Sequence, residues 1–279
     1  MKTFRVLIVL LGVGLLGACS NNFVYNQLDW LIPWYVDDYV DLSRDQKRDL
    51  KSQLQPLLRW HRSEELASYI IIIDGIEQDL RQPVSAATVE SWGNQTLAAW
   101  ERLEVRIMPL ALGLGEQLSD SQMAEFQAGL VRDQQELEEE YLGRTDAEVV
   151  AESLEDFTEN LGDFLGRLTK QQVQVLETAA ASLLRFDNLW LEDRRQWVER
   201  LEVMLQREEG WQDAVRQAMA LRDSTRDPAY LAAYEHNAEI INGAIAETLN
   251  LRTEKQSQRL QREMDDLRRD LRKLIAQGE

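Results

Sequence analysis

The spacing of apolar and polar positions along this chain is that of helices. Glu, Gln, Leu, Arg and Ala dominate, Gly and Pro are sparse inside segments, and no stretch shows sustained two-residue alternation of Val, Ile and Thr. The connections between segments are short, so neighbouring helices should run antiparallel. We therefore predict an all-α fold, an extended antiparallel bundle of about six to seven helices that ends in a long C-terminal helix.

Three similar pentads mark predicted helix starts. They are Leu42-Ser43-Arg44-Asp45-Gln46, Leu118-Ser119-Asp120-Ser121-Gln122 and Leu168-Thr169-Lys170-Gln171-Gln172. In each pentad the Ser or Thr hydroxyl can accept a hydrogen bond from the amide three residues on, while the Gln side chain reaches back to the cap amide. Each such capping box stabilises its helix by about 1 kcal/mol. Leu118 can in addition pack onto Met123, at the fourth helical position.

Pro and Gly positions supply the remaining boundaries. The predicted helices span residues 43–82, 85–115, 119–141, 146–166, 169–208, 211–224 and 228–275. Pro109 would at most bend the second of these, and Pro228 stands at the first helical position, where proline is tolerated. No linker or break in composition divides the chain, so residues 19–279 form a single predicted all-helical domain.

The last predicted helix carries an apolar seam with the spacing 4, 3, 4, 3, which is typical of a coiled coil. Its members are Leu260, Met264, Leu267, Leu271 and Leu274. Further upstream the same seam passes through the polar residues Asn250, Thr253 and Ser257. We therefore expect packing within the chain that frays into solvent near residues 253–258, with residues 252–279 partly projecting. The same seam also fits a homodimer.

Residues 1–18 have the features of a secretory signal peptide. Lys2 and Arg5 precede an uncharged apolar run over residues 6–16, and small residues follow. The run is shorter than the about 20 apolar residues that a membrane-spanning helix needs. The mature chain is therefore predicted to begin at residue 19.

A lipid attachment site is predicted at the end of this peptide. The tetrapeptide Leu16-Gly17-Ala18-Cys19 resembles a bacterial lipobox and contains the one Cys of the chain. The resemblance implies that the Cys19 sulfur receives diacylglycerol, that cleavage follows Ala18, and that the new amino group is acylated. Ser20 stands where lipoproteins kept in the inner membrane commonly have Asp, which favours the outer membrane, facing the periplasm. Two or three acyl chains anchor stably where one would be marginal.

Charge narrows the choice of partners. The chain has 31 Lys and Arg against 49 Asp and Glu, a formal net charge of −18. An acidic body disfavours nucleic acid, whose phosphates are bound by Lys and Arg, and it disfavours a broad electrostatic grip on anionic lipid. Basic or neutral partners remain open.

Candidate chemistry is sparse. His61 and His236 are the two histidines, and neither has a Glu three residues earlier, as a di-iron carboxylate bundle requires. One Cys cannot form a zinc-binding thiolate cluster. The 49 carboxylates are too many for any one pair to be nominated as an acid and a base. We expect no catalytic residue, no metal and no cofactor beyond the covalent lipid, and we interpret both histidines as surface or hydrogen-bonded core residues.

Aromatic residues concentrate directly after Cys19. Within residues 19–41 they are Phe23, Tyr25, Trp30, Trp34, Tyr35 and Tyr39, mixed with Asp29, Asp37 and Asp38. Trp and Tyr are favoured at lipid interfaces, where one end of the ring is in an apolar and the other in a polar environment. The alternative, favoured by the three carboxylates, is that the rings pack onto the bundle as its first short helix. The candidate membrane or partner contacts are Trp30, Trp34, Tyr35 and Tyr39.

Two resemblances add to this picture. The run Tyr25-Asn26-Gln27-Leu28-Asp29-Trp30-Leu31, then Val36-Asp37-Asp38-Tyr39-Val40-Asp41-Leu42-Ser43 and Gln46, follows the lipobox directly. With it the chain is similar, over nearly its whole length, to a family of proteobacterial lipoproteins of unknown function. This resemblance implies lipidation and an all-α fold, and it offers no catalytic residues. The three pentads more locally resemble the repeated motif of periplasmic proteins of the Spy and CpxP type, which implies a chaperone or a stress sensor.

Three functions follow as hypotheses. The leading one is a non-enzymatic helical module, anchored through lipid to the inner face of the outer membrane, that binds an envelope protein or acts as a scaffold in envelope maintenance. The second, from the pentads, is a periplasmic anti-aggregation chaperone or stress sensor. The third is an enzyme that acts on envelope material through carboxylates.

Overall fold

The structure is a computed structural model that describes residues 24–278. The predicted signal peptide, the lipobox residues 16–19, Ser20 and Phe23 lie outside the described residues. From residue 24 to residue 278 the secondary structure consists of helices joined by short turns, without a strand. The all-α prediction is confirmed, and the helices contact one another as in a bundle, but the described residues form eleven α-helices rather than the predicted six to seven.

The first half of the described chain contains five α-helices. They are α1 (Leu28–Asp37), α2 (Arg44–Trp60), α3 (Leu66–Asp79), α4 (Ala86–Gln117) and α5 (Asp120–Leu142). A five-residue π turn, His61–Glu65, joins α2 to α3 without a break. Pro109 lies inside α4, which continues past it to Gln117.

The second half contains six further α-helices. They are α6 (Asp146–Leu165), α7 (Lys170–Ser182), α8 (Asp187–Met204), α9 (Trp211–Leu221), α10 (Pro228–Asn250) and α11 (Glu254–Ala276). Gly166 ends α6 with a positive φ of 72°, a conformation that glycine adopts without the steric cost of a Cβ. A single turn of 3-10 helix, Asp223–Thr225, precedes α10.

The prediction of one helix over residues 169–208 is wrong, because the chain leaves the helix at Leu183. The side-chain amide of Asn237 on α10 forms two hydrogen bonds with the backbone of Leu184, the residue after Leu183. Its Oδ1 accepts from Leu184 N at 2.8 Å, and its Nδ2 donates to Leu184 O at 2.8 Å. The Asn237 side chain thus bonds the N–H and the C=O of Leu184, which would otherwise need partners within a continuous helix. This explains why the helix can end here without a Pro or a Gly.

The prediction of one helix over residues 228–275 is also wrong. The chain breaks after Asn250, and Thr253 caps the separate helix α11. The expected fraying near residues 253–258 and the projecting C-terminal helix are wrong too, because Gln256 is buried and α11 lies against α3, α6 and the π turn. Packing of the seam within the chain is confirmed, since four of its members are buried there: Leu260, Met264, Leu271 and Leu274.

Buried apolar side chains in the described part of the chain form separate clusters rather than one central core. One cluster gathers Val40, Leu42, Leu118 and Met123 with residues of α2 and α4. Another joins α6, α10 and α11 through Leu165, Leu249 and Leu260. Each of these two clusters lies at a place where two capped helices begin.

Candidate functional site

Each predicted pentad forms a capping box at the start of a helix. Ser43, Ser119 and Thr169 each accept from the backbone amide three residues on, at 3.2 Å. The Gln Oε1 atoms accept in return from the three cap amides, at 2.9, 3.0 and 2.9 Å. Helices α2, α5 and α7 therefore begin at the residues that local hydrogen bonding dictates.

A fourth capping box of the same kind, which the sequence analysis missed, starts α11. Thr253 Oγ1 accepts from Gln256 N at 3.3 Å, and Gln256 Oε1 accepts from Thr253 N at 2.9 Å. Leu251 stands two residues before the cap rather than one, and the apolar seam suggested a continuous helix. The spacing of Thr253 and Gln256 was the signal that could have found it. Two further capping boxes, at Ser85 and Thr145, carry no Gln.

The four boxes that contain a Gln are joined through these glutamines, which form two hydrogen-bonded pairs. The first pair, which we call the outer clamp, is Gln46 with Gln122. Gln46 Nε2 donates to Gln122 Oε1 at 3.0 Å, and Gln122 Nε2 donates to Gln46 Oε1 at 2.8 Å. Each amide also donates to a backbone carbonyl just before the other helix, Gln117 O at 3.0 Å and Asp41 O at 2.8 Å. Both glutamines are half-buried.

The second pair, the inner clamp, is Gln172 with Gln256, and it repeats this geometry. Gln172 Nε2 donates to Gln256 Oε1 at 3.2 Å, and Gln256 Nε2 donates to Gln172 Oε1 at 2.9 Å. The remaining N–H groups reach Thr248 O at 3.0 Å and Arg167 O at 3.1 Å. Gln172 is 0% exposed and Gln256 is 5% exposed, so this clamp is inside the protein.

Hydrogen bonding saturates both clamps. A Gln side chain offers two donors and two acceptor positions, and each of the four uses all of them on its own cap, its partner and one carbonyl. The amides are neutral and have no free group for a ligand or a proton transfer. The glutamines of these capping boxes therefore join helix starts that lie 76 and 84 residues apart in the sequence, and the pentads are structural elements.

The aromatic segment of residues 24–40 has two faces. On one face, Leu28 and Pro33 of α1 are buried against the bundle. On the other, Trp30 and Trp34 are 58% and 55% exposed and stack with ring centroids 6.4 Å apart and an interplanar angle of 11°. The two sequence-based interpretations therefore apply to different residues, since part of the segment packs and part faces outward.

Tyr39 fastens the end of this segment to α5. Its hydroxyl donates to Asp133 Oδ2 at 2.5 Å and lies 3.2 Å from the hydroxyl of Tyr35. Burial, together with the bond to the Asp133 carboxylate, raises the pKa of Tyr39. The Tyr39 ring lies against Gly129, where an added Cβ would come within 3.2 Å of it. Tyr35 and Tyr39 are therefore packing residues of the bundle.

Two of the three carboxylates in the segment are neutralised by α2. Asp29 Oδ2 lies 3.0 Å from Lys51 Nζ, and Asp37 Oδ2 lies 2.8 Å from Lys47 Nζ. These ion pairs are partly solvated and contribute little to stability, but they direct both charges toward the bundle. Asp38 is exposed.

A buried imidazole holds the start of the segment. His61, 2% exposed at the first position of the π turn, has Nδ1 2.8 Å from the Tyr25 hydroxyl and Nε2 3.2 Å from the Tyr69 hydroxyl. Burial lowers the pKa of His61 to about 4 and raises the pKa of Tyr25 to about 12, so the three rings are uncharged at neutral pH. His61 is thus a hydrogen-bonded core residue, and His236 is exposed.

Charged residues flank this ring cluster. Glu65, also buried, accepts two hydrogen bonds from Arg102 of α4, at 3.0 and 2.5 Å. Arg62 lies over the Tyr25 ring and donates to Asn26 Oδ1 at 2.8 Å. Asn26 in turn donates to Gln277 at 3.1 Å, so the segment after Cys19 contacts the end of α11. Local sequence patterns cannot predict these contacts, because they join residues far apart in the chain.

No group of three or more His, Cys, Asp or Glu side chains within residues 24–278 is placed to hold a metal ion. No helix in this described part is long and apolar enough to cross a bilayer.

The fold and its clamps define an all-α bundle in which capped helix starts are joined in pairs. The chain belongs to a family of unknown function, DUF6279, whose model matches residues 38–231, more than half of its length. The matched region includes the boxes at Ser43, Ser119 and Thr169 and stops before Thr253. Searches of curated proteins and of solved structures gave no match.

Proposed function

We propose that this protein is a lipid-anchored helical module on the periplasmic face of the outer membrane, where it binds a protein partner in envelope maintenance without catalysing a reaction. The lipid is the acyl modification of Cys19, and Ser20 favours the outer membrane. The acidic net charge of −18 favours a basic or neutral partner surface.

The observation that carries this proposal is the attachment of residues 25–39 to the bundle, which begins six residues after Cys19. Four side-chain contacts fix it to the bundle: Tyr25 with His61, Asp29 with Lys51, Asp37 with Lys47 and Tyr39 with Asp133. A lipoprotein on a flexible linker samples many orientations. Here the first contact, at Tyr25, lies only six residues after Cys19, so the anchor would hold the bundle close to the membrane, as suits a scaffold.

Three exposed apolar side chains, at the end of α5, after α7 and on α10, offer contacts for the partner. Leu142, Leu184 and Tyr234 are 47%, 48% and 54% exposed. Their chain neighbours contact one another, Arg185 with the Tyr141 carbonyl at 3.3 Å and the Phe186 ring with the Tyr230 ring at 6.0 Å. Clustered exposed apolar residues are a common feature of protein-binding surfaces.

Photo-crosslinking in intact cells tests the partner. Probes replace Leu142, Leu184 or Tyr234, with a probe at the exposed residue Glu159 of α6 as the matched control. We expect one recurrent protein from the three apolar positions and none from Glu159. A broad set of unfolded envelope proteins would instead favour the chaperone hypothesis, and no protein crosslink at any of the three positions would contradict this partner surface.

Replacement of Cys19 by Ser tests the anchor separately. The substituted protein should leave the membrane fraction and appear in the soluble or unprocessed fraction, whereas the parent protein stays with the outer membrane. If Cys19→Ser protein fractionates with the outer membrane at unchanged mobility, the lipid assignment is wrong.

A further inference from the structure

The outward face of α1 presents two neighbouring, largely exposed indoles. Trp30 and Trp34 are one helical turn apart, more than half exposed, and stacked on each other at 6.4 Å. Single exposed apolar residues are ordinary, but two large rings side by side on one turn form a continuous apolar surface. Such a surface costs free energy in water unless something covers it.

The attachment of α1 prevents these rings from turning inward. Leu28 and Pro33 of this helix are buried against the bundle, and Lys51 and Lys47 pair with Asp29 and Asp37 near its two ends. Rotation of the helix about its axis would break both ion pairs and expose the two buried residues. The Trp face therefore stays outward in the folded protein.

The position of Cys19 limits how far this face can be from the membrane. Tyr25 is held by His61, and the six residues from Cys19 to Tyr25 span at most about 22 Å when fully extended. Helix α1 begins three residues after Tyr25 and extends for about 15 Å. A lipid on Cys19 would therefore bring the Trp face within reach of the bilayer surface.

We propose that Trp30 and Trp34 enter the lipid interface beside the anchor and fix the orientation of the bundle on the membrane. This inference rests on the proposed lipidation of Cys19. Indole rings suit that depth because the ring is apolar and the N–H finds partners among the headgroups. The pairing of Asp29 and Asp37 with lysines keeps their charges out of the interface.

Electroneutral lipid is the surface that fits this face. Asp38 is exposed one turn beyond Trp34, and the chain as a whole is acidic. Anionic headgroups would repel these charges, whereas zwitterionic headgroups would not. The carboxylate of Asp38 would stay at headgroup level and limit how deeply the end of α1 enters.

Quenching by brominated lipid tests this placement. The full-length protein, purified from the membranes of a host that processes lipoproteins, is reconstituted into phosphatidylcholine vesicles with and without bromine on the acyl chains, and tryptophan emission is compared. The chain has eight Trp residues, so two matched variants are needed. Trp30→Phe with Trp34→Phe should abolish most of the quenching, while Trp92→Phe with Trp197→Phe should leave it unchanged.

The outcomes separate this inference from the anchor on which it rests. Failure of the parent protein to float with vesicles would overturn the lipidation proposal. Flotation with equal quenching in the parent and the Trp30 and Trp34 variant would overturn only the membrane contact. A photo-probe at Trp34 that captures one protein in cells, with no bromine quenching, would show that this face binds protein and would also overturn it.

Discussion

The two glutamine clamps make the same hydrogen bonds in different surroundings. In the outer clamp, Gln46 and Gln122 are half-buried, so water can reach their amides. In the inner clamp, Gln172 and Gln256 are at most 5% exposed. Since the geometry is shared, the difference in environment should decide how much each clamp contributes to stability.

The difference in burial matters because the net contribution of a hydrogen bond to stability is not the same as the cost of leaving a buried group without one. A bond formed in the protein replaces bonds to water, so its net contribution is only about 1 kcal/mol. A buried partner left without a bond loses about 1 to 3 kcal/mol, because no water replaces the missing group. Removal of one glutamine should therefore be tolerated at the outer clamp and damaging at the inner clamp.

The largest effect should come from Gln172→Ala. The change removes the partner of Thr169 N and of Thr248 O, and it takes one of two partners from each polar atom of the buried Gln256 amide. We expect a loss of about 4 kcal/mol in the free energy of unfolding. Urea unfolding of the mature chain carrying Cys19→Ser measures it. A loss below about 1 kcal/mol would mean that water enters the inner clamp.

Acid should destabilise the protein through His61 and leave both clamps unaffected, because amides do not titrate. The folded-state pKa of His61, about 4, lies below its ordinary value of 6.5, so the unfolded chain binds the proton first as pH falls. The contribution of His61 is complete above pH 6.5 and is lost as pH falls from 6.5 to 4. The loss is at most about 3 kcal/mol.

Unfolding free energies between pH 7 and pH 4 check this prediction against His61→Gln, which cannot take up a proton. Carboxylates titrate in both proteins and cancel in the difference. That difference should shrink as the pH falls, and the Gln172→Ala protein should show the same pH dependence as its parent. A difference that stays constant with pH would show that His61 is not held neutral.

A smaller effect is expected from Gln122→Ala, the matched change in the outer clamp. It breaks bonds of the same kind to Gln46, Ser119 and Asp41. Water can solvate the groups left behind, so we expect a loss of about 1.5 kcal/mol in the free energy of unfolding. Equal losses for Gln122→Ala and Gln172→Ala in the same urea assay would contradict the role assigned to burial.

The clamps also show which features local sequence patterns can predict and which they cannot. The caps at Ser43, Ser119 and Thr169 are set by bonds across three residues, so a four-residue pattern predicts them. The pairing of the glutamines depends on contacts 76 and 84 residues apart, which the local sequence does not encode. Spacing could predict the helix starts but not the clamps.

The same limit explains the two helices that were predicted to be continuous. The break at Leu183 has no Pro or Gly and is stabilised by Asn237 from another helix. The break at residues 251–253 was hidden by the apolar seam of α11. In the candidate membrane segment, composition identified Trp30 and Trp34, but only the fold distinguishes them from the packed Tyr35 and Tyr39.

The smallest effects should come from the capping hydroxyls, and here the two clamps should be alike. Thr253→Ala and Ser119→Ala each remove one acceptor for an amide in the first turn, bonded at 3.3 and 3.2 Å, and leave the glutamine pair in place. We expect a loss of about 1 kcal/mol from each, and only a few tenths from Thr253→Gly, since Gly tolerates the cap position. Urea unfolding measures all three. If the two Ala variants differed as strongly as the two glutamine variants, the contrast between the clamps would reflect the stability of the surrounding helices rather than burial of the amides.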